Sequence, residues 1–256
     1  MDARADEMLF RRHGRVAIVT FNRPDVLNAF KASTYERLLE VIAEVAADEG
    51  TRALVLTGAG RAFSSGTDLR ELADAALVAV ERNQEITRRI VGLPQVTIAA
   101  VNGVAAGFGA ELAVACDIRI AARSARFLFP EVRRGLYLTN GVTWLLPRIV
   151  GLGAAMDWLT TGRDVAAEEA HARGLVSRVV PDGSAAEAAL ELGEVIASNA
   201  PIPVRMIKRA LYDDAPDLES ALAAEIEAVV RCQETRDWEE GVRSFLEKRE
   251  PEYEGR

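Results

Sequence analysis

Cysteine and histidine are almost missing from this chain of 256 residues, which has two of each. Cys116 and Cys232 stand far apart, and Cys116 sits in the apolar run Leu-Ala-Val-Ala-Cys-Asp-Ile, where a buried free thiol is a simpler reading than a disulfide. His13 and His171 are isolated, and no Cys or His pair shows metal-ligand spacing, so no zinc or other metal is expected. Long apolar runs are lacking too. The apolar stretches at 96–101 and 104–106 are parted by Asn102 and Gly103, far short of the roughly 20 residues that span a bilayer, which excludes a membrane helix. The opening MDARADEMLFRRHGR mixes both charge signs and has no apolar centre, so neither a secretory leader nor a transit peptide is expected, and the cytoplasm is the default location. Positive charge is in deficit: 31 Lys and Arg against 39 Asp and Glu leave a net charge of −8, which repels nucleic acid at long range. An anionic ligand stays compatible with that balance where cations cluster locally, because charges beyond about 8 Å are screened at physiological salt.

What is present is apolar matter: hydrophobic residues make up 49% of the chain and charged ones 27%, enough for one large core or a core with an appendage. Five β-rich runs stand out, at 16–21, 53–57, 97–101, 117–121 and 176–180. Most are apolar throughout, as strands buried on both faces are. Helices fall between them. One is predicted to start with a capping box at Ser33-Thr-Tyr-Glu36, and a second to run over 70–91. Beyond Pro181 only helix is predicted, at 185–198, 203–213 and 218–246, so the last sixty residues read as helical. Periodicity alone suggests an open, parallel α/β sheet.

Two glycine-rich segments come after buried strands. In Leu54-Val-Leu-Thr-Gly-Ala-Gly-Arg-Ala-Phe-Ser-Ser-Gly-Thr-Asp-Leu69 the glycines let backbone approach a ligand, and amides in a tight loop can converge on an anion; an ordinary turn explains the segment as well. In Ile98-Ala-Ala-Val-Asn-Gly-Val-Ala-Ala-Gly-Phe-Gly-Ala-Glu-Leu-Ala-Val-Ala-Cys-Asp117 a single acid, Glu111, interrupts an apolar helix. Glutamate is almost never buried unless paired or used, so Glu111 is either a surface-facing helix residue or a functional carboxylate. Glu131, after Pro130, is simplest as the acid at a helix start.

Taken together, AFSSGTDL, VNGVAAGFGAEL with ACDIRIA, and FPEVRRGL, preceded by FNRPDVLNAF and followed by LTGRDVAAEEAHARGLVSRVV and ETRDWEEGVRSFLEKREPEY, resemble the enoyl-CoA hydratase/isomerase (crotonase) family over almost the whole chain. The resemblance implies an α/β crotonase spiral of repeated strand-strand-helix turns in place of the open sheet. Residues 1–197 would form the core, and 198–256 a helical region for contacts in a homotrimer or a dimer of trimers. It implies an acyl-CoA thioester as substrate, with no resident cofactor because coenzyme A enters with the substrate. The thioester oxygen would be held by the backbone amides of Thr67 and Phe108, where it carries the charge of an enolate-like transition state. Glu111 and Glu131 align with the two glutamates that hold a water and move its proton, which points to a hydro-lyase, an enoyl-CoA hydratase, above an isomerase or another acyl-CoA enzyme of the family such as a hydrolase or decarboxylase. The CoA and acyl moieties would lie near Leu27, Ala29, Ala62, Ser64, Gly66, Asp68, Leu69, Arg70, Gly107, Pro130 and Leu138. Arg70, Lys248 and Arg249 are candidate phosphate partners, the latter two from a neighbouring subunit.

Two departures from the family stand out. Tyr137-Leu-Thr-Asn-Gly-Val-Thr143 replaces a glycine-rich run, and Phe108 stands where glycine is frequent, its ring expected in the acyl or pantetheine channel. Three rival readings remain. A serine hydrolase has Ser64, Asp117 and His171 in the right chain order, but Ser64 lies well beyond the strand that should carry a nucleophile elbow. A dinucleotide fingerprint at Gly107-Phe-Gly109 fails because Leu112 stands where a third glycine belongs. The altered loop at 137–143 keeps open a third, an acyl-CoA-binding protein without turnover.

Overall fold

The five apolar runs are the centre of the larger of two sheets. The computed structural model describes residues 7–68, 70, 77–213 and 215–256. Strands β2 (Val16–Phe21), β3 (Ala53–Gly58), β5 (Val96–Val101), β7 (Ile118–Ala122) and β10 (Arg178–Val180) lie side by side in parallel. An antiparallel edge strand, β1 (Met8–His13), pairs with β2 through a turn at Gly14 and completes the six. Nearly every residue of β3 and β5 is buried, as both faces of a covered parallel sheet require. Helix α1 (Ala32–Ala47) packs on β1 and against helix α2 (Leu77–Gly92), and helix α7 (Ala185–Ala197) crosses β2, β3, β5 and β7.

A second sheet went unread in the sequence. Strands β4 (Ala62–Ser64), β6 (Val104–Ala106) and β8 (Arg126–Leu128) pair in parallel, and β9 (Val165–Ala166) closes the row antiparallel to β8. The chain therefore repeats one unit. A strand of the large sheet (β3, β5, β7) leads to a strand of the small one (β4, β6, β8) and then to a helix: α2, α3 (Phe108–Ala115), or the 3-10 turn Glu131–Arg134 with α4 (Val142–Val150). Those strand-strand-helix turns are the expected spiral, and the open single sheet suggested by periodicity is corrected accordingly.

Three local expectations also change. Helix α1 starts at Ala32 after Lys31, with no side-chain cap, and the Ser33 hydroxyl faces Glu7 instead of closing a capping box. Its entry is set by the Phe30 amide, bonded to the Gly66 carbonyl. The predicted helix over 70–91 is described only as α2, because 71–76 lie outside the described residues. The long helix over 218–246 is two, α9 (Leu218–Gln233) and α10 (Arg236–Glu247), parted where the Thr235 hydroxyl accepts the Trp238 amide to cap α10, and the residues from 250 onward are not helical.

Helix α8 (Pro201–Asp213) is fastened to the sheet by two residues one turn apart. Buried Lys208 donates to Asp117 Oδ2 at 2.8 Å and to the Gln95 carbonyl at 3.0 Å, and the Tyr212 hydroxyl donates to Asp117 Oδ1 at 3.0 Å. Asp117 also accepts the amide and hydroxyl of Thr97 in β5. Removing one partner of a buried ion pair leaves the other charge uncompensated. Lys208→Met is therefore expected to lower unfolding stability in urea by about 3–5 kcal/mol, with the m-value unchanged.

Candidate active site

Consecutive turns of the spiral bring the motif residues together. Because β4, β6 and β8 are parallel neighbours, the segments that leave their ends emerge side by side: Gly66 and Thr67 after β4, Gly107 and Phe108 after β6, Pro130 and Glu131 after β8. Two glycines permit the close approach. Gly66 has φ +94, and a Cβ there would lie 2.7 Å from the Ala106 carbonyl oxygen and 3.3 Å from the Phe108 nitrogen. Gly107 has φ +50, and a Cβ there would meet Glu131 Oε1 at 3.1 Å. A side chain at 66 would force the segments apart, and one at 107 would be strained by the positive φ and crowd the Glu131 carboxylate.

The amides of Thr67 and Phe108 have no acceptor among the described residues. Thr67 forms a parallel bridge with Phe30, in which Phe30 bonds the Gly66 carbonyl and the Asp68 amide, so the Thr67 amide points the other way. Phe108 is the first residue of α3, where an amide has no partner within its own helix. The Phe108 ring does not enter a ligand channel, contrary to expectation. It is buried against Phe30 and Tyr35, with ring centroids 4.9 and 4.7 Å away.

Glu111 lies one turn into α3, a helix buried on all sides, and is itself only 1% exposed, which removes the surface-facing reading. Its Oε1 accepts the Thr139 amide at 2.9 Å, and its Oε2 accepts the Thr139 hydroxyl at 2.9 Å and the Asn140 side-chain amide at 2.6 Å. Asn140 also donates to the Thr139 hydroxyl oxygen, which directs that hydroxyl's proton to Glu111. Burial pushes the Glu111 carboxyl above the usual range, and the Asn140 and Thr139 donors oppose the rise. Every contact is a donor, an arrangement suited to the ionised form.

Glu131 differs. It opens the 3-10 turn after Pro130, as the helix-start reading expects, and its Oε2 is buried with no hydrogen-bond partner among the described residues. Burial first, and the charge of Glu111 second, push its pKa up to about 7. The loop at 137–143 thus clamps one carboxylate, while one oxygen of the other is left without a partner among the described residues. Thr139 and Asn140 were not assigned this task from sequence. The available signal was a polar pair between apolar Leu138 and Val142, with Asn140 in the left-handed conformation that an Asn-Gly step tolerates.

The remaining expected ligand neighbours divide into groups. Leu27 is a half-buried, left-handed turn residue whose carbonyl accepts the Ser65 amide, and Ala29 and Ala62 are buried beside it. Asn28, missed from sequence, ties this region together by donating to the carbonyls of Ala59 and Ala62 and accepting the Arg23 amide. Ser64 is fully buried, donating to the Asn28 carbonyl at 2.9 Å and accepting the Gly66 amide at 3.1 Å. That overturns the hydrolase reading, since His171 instead bonds the Val176 carbonyl and Asp117 anchors α8. Leu138 packs half-buried on the core next to the Glu111 clamp. Arg70 is exposed and held by Asp68 through two hydrogen bonds. Leu69 lies outside the described residues. Lys248 and Arg249 are not brought to these residues: Arg249 is paired with Glu240 and Glu247, and the tail beyond it docks by Tyr253 on Arg15, at the opening ends of the strands.

The family model for enoyl-CoA hydratase/isomerase matches residues 11–256. The chain is 38% identical to a short-chain-enoyl-CoA hydratase of Clostridium acetobutylicum, over 96% of this chain and 97% of that protein. It is also 38% identical to a 1,2-epoxyphenylacetyl-CoA isomerase of Escherichia coli, over 94% and 95%. The crystal structure of an enoyl-CoA hydratase from Bacillus anthracis superposes with a TM-score of 0.93 at 37% identity, covering 98% of this chain and 100% of that one. The fold is therefore the crotonase fold, and the chain belongs to the enoyl-CoA hydratase/isomerase family.

Proposed function

We propose that this protein is an enoyl-CoA hydratase that adds water across the 2,3 double bond of a 2-enoyl-CoA thioester. The observation that carries the reading is the pair of carboxylates with opposite surroundings, Glu111 facing donors and Glu131 with an unpartnered buried oxygen. Glu111 holds and activates the water, which attacks the β-carbon. Electrons of the double bond pass to the thioester oxygen, where the Thr67 and Phe108 amides receive the developing charge. Glu131 delivers a proton to the α-carbon, and the proton lost by water returns to the carboxylate pair. The two amides act in the transition state more than in the ground state, and one such donor is typically worth about 3–4 kcal/mol.

Arg70, and Lys248 and Arg249 from a neighbouring subunit, would meet the CoA phosphates. The neighbour would be supplied by a trimer, or a pair of trimers. In support, α9 and α10 expose Leu218, Leu222, Ile226, Trp238, Phe245 and Leu246, more apolar surface than an isolated helix pair keeps in water. Light scattering should give a trimer or hexamer mass, and Phe245→Glu should shift it to smaller species.

The direct test is turnover of a short 2-enoyl-CoA, with the product identified by mass. A water adduct is expected, with Glu111→Gln and Glu131→Gln each at least about 100-fold slower. A product of unchanged mass would make the protein an isomerase instead, and binding without turnover across a panel of thioesters would leave it a non-catalytic acyl-CoA binder. Hydration neither consumes nor releases a proton, so hydration and the reverse dehydration share one pH dependence in kcat/KM, and both need the carboxylate pair to carry one proton. Both are expected to fall as pH rises through about 7, where Glu131 loses that proton.

A further inference from the structure

The two amides assigned to the thioester oxygen belong to different turns of the spiral, yet their side chains meet on a third element. Tyr35 lies in the first turn of α1 and is 2% exposed. Its hydroxyl is 2.7 Å from Thr67 Oγ1. Its ring meets the Phe108 ring at 4.7 Å between centroids and 69° between planes, an edge-on contact. Phe30 supports both ends: its ring lies 5.2 Å from Tyr35 and 4.9 Å from Phe108, and its backbone carries the bridge to Thr67. The contacts match the side chains present. Threonine at 67 offers the hydroxyl that the phenol engages, and phenylalanine at 108 offers the ring that the phenol's edge fits.

Resting on the hydratase reading, we propose that Tyr35 is a positioning residue that sets the placement of the Thr67 and Phe108 amides relative to each other. A donor pair stabilises an oxyanion only when both nitrogens stand about 2.7–3.1 Å from the same oxygen. The register of β4 on β6 is irregular between Ala62 and Ser64, so regular strand pairing alone does not set how the segments leaving them stand to each other. Tyr35 ties the side chain of one donor residue to the side chain of the other. Its hydroxyl and ring meet Thr67, Phe108 and Phe30, the supports of the two amides, so its effect falls on geometry and not on proton transfer.

Two variants break the hydroxyl contact from opposite ends, Tyr35→Phe and Thr67→Val, the second leaving the aromatic cluster intact. Each should lower kcat for a short 2-enoyl-CoA about 10-fold with KM changed less than about 2-fold, and the double variant should be little worse than either single one. A structural readout needs no turnover: the infrared carbonyl band of bound butyryl-CoA labelled with carbon-13 at the thioester. In the wild type the band should move to lower frequency on binding, and in both variants it should move back towards its free position. A lower melting temperature in Tyr35→Phe with the band and kcat both kept would overturn the proposal and leave Tyr35 a packing residue. A wild-type band that does not move on binding would instead remove the amide pair itself, and the hydratase reading with it.

Discussion

The parallel pairing of three very short strands is the constraint on which the site depends. Neighbouring strands stand about 4.8 Å apart, so β4, β6 and β8 deliver the chain at that spacing, and the segment leaving each strand starts beside the segment leaving its neighbour. Three residues per strand supply too few hydrogen bonds to be stable alone. Each is held because the preceding strand belongs to the large buried sheet and the turn between them is short. Asparagines reinforce the turns: Asn102 accepts the Gly58 amide and donates to the Gly60 carbonyl, and Asn28 holds the carbonyls of Ala59 and Ala62. The large sheet thus provides the stability and the small sheet the alignment.

Given that alignment, burial makes two identical side chains behave differently. Both glutamates are taken out of water, which raises both pKa values, but the surroundings then diverge. Thr139 and Asn140 answer the charge of Glu111 with donors, so its cost of burial is partly offset by bonds. Nothing among the described residues answers Glu131 Oε2, and the nearby charge of Glu111 adds to its burial. One carboxylate therefore faces donors on both oxygens, while the other keeps an oxygen without a partner among the described residues.

Legibility from sequence tracked the length and the surroundings of each element. The five central strands were legible because burial on both faces writes an unbroken apolar run. Strand β1 was hidden by Arg11, Arg12 and His13, the exposed residues of an edge, and β4, β6 and β8 are too short to show a period. The Ser33–Glu36 spacing fitted a capping box, yet the bridge of Phe30 to the Gly66–Asp68 segment decided where α1 begins, a tertiary contact that no local pattern encodes. Glu111 was recognisable as out of place in an apolar helix. Its partners were not, since Thr139 and Asn140 lie in another turn of the spiral and act through a loop that departs from the family's glycine-rich pattern.

The departures at 108 and at 139–140 are linked by the same logic. Where glycine would leave the backbone free to set its own path, this chain uses side chains to set it: the Phe108 ring is anchored between Phe30 and Tyr35, and Thr139 and Asn140 carry both a turn and a clamp. A ring that is 5% exposed and packed on two aromatics fixes where α3 begins, and with it the direction of the Phe108 amide. Leu138 is half-buried and directly precedes the Glu111 clamp, so a substitution that shifts its backbone also moves Thr139, and with it the Glu111 carboxylate that Thr139 holds.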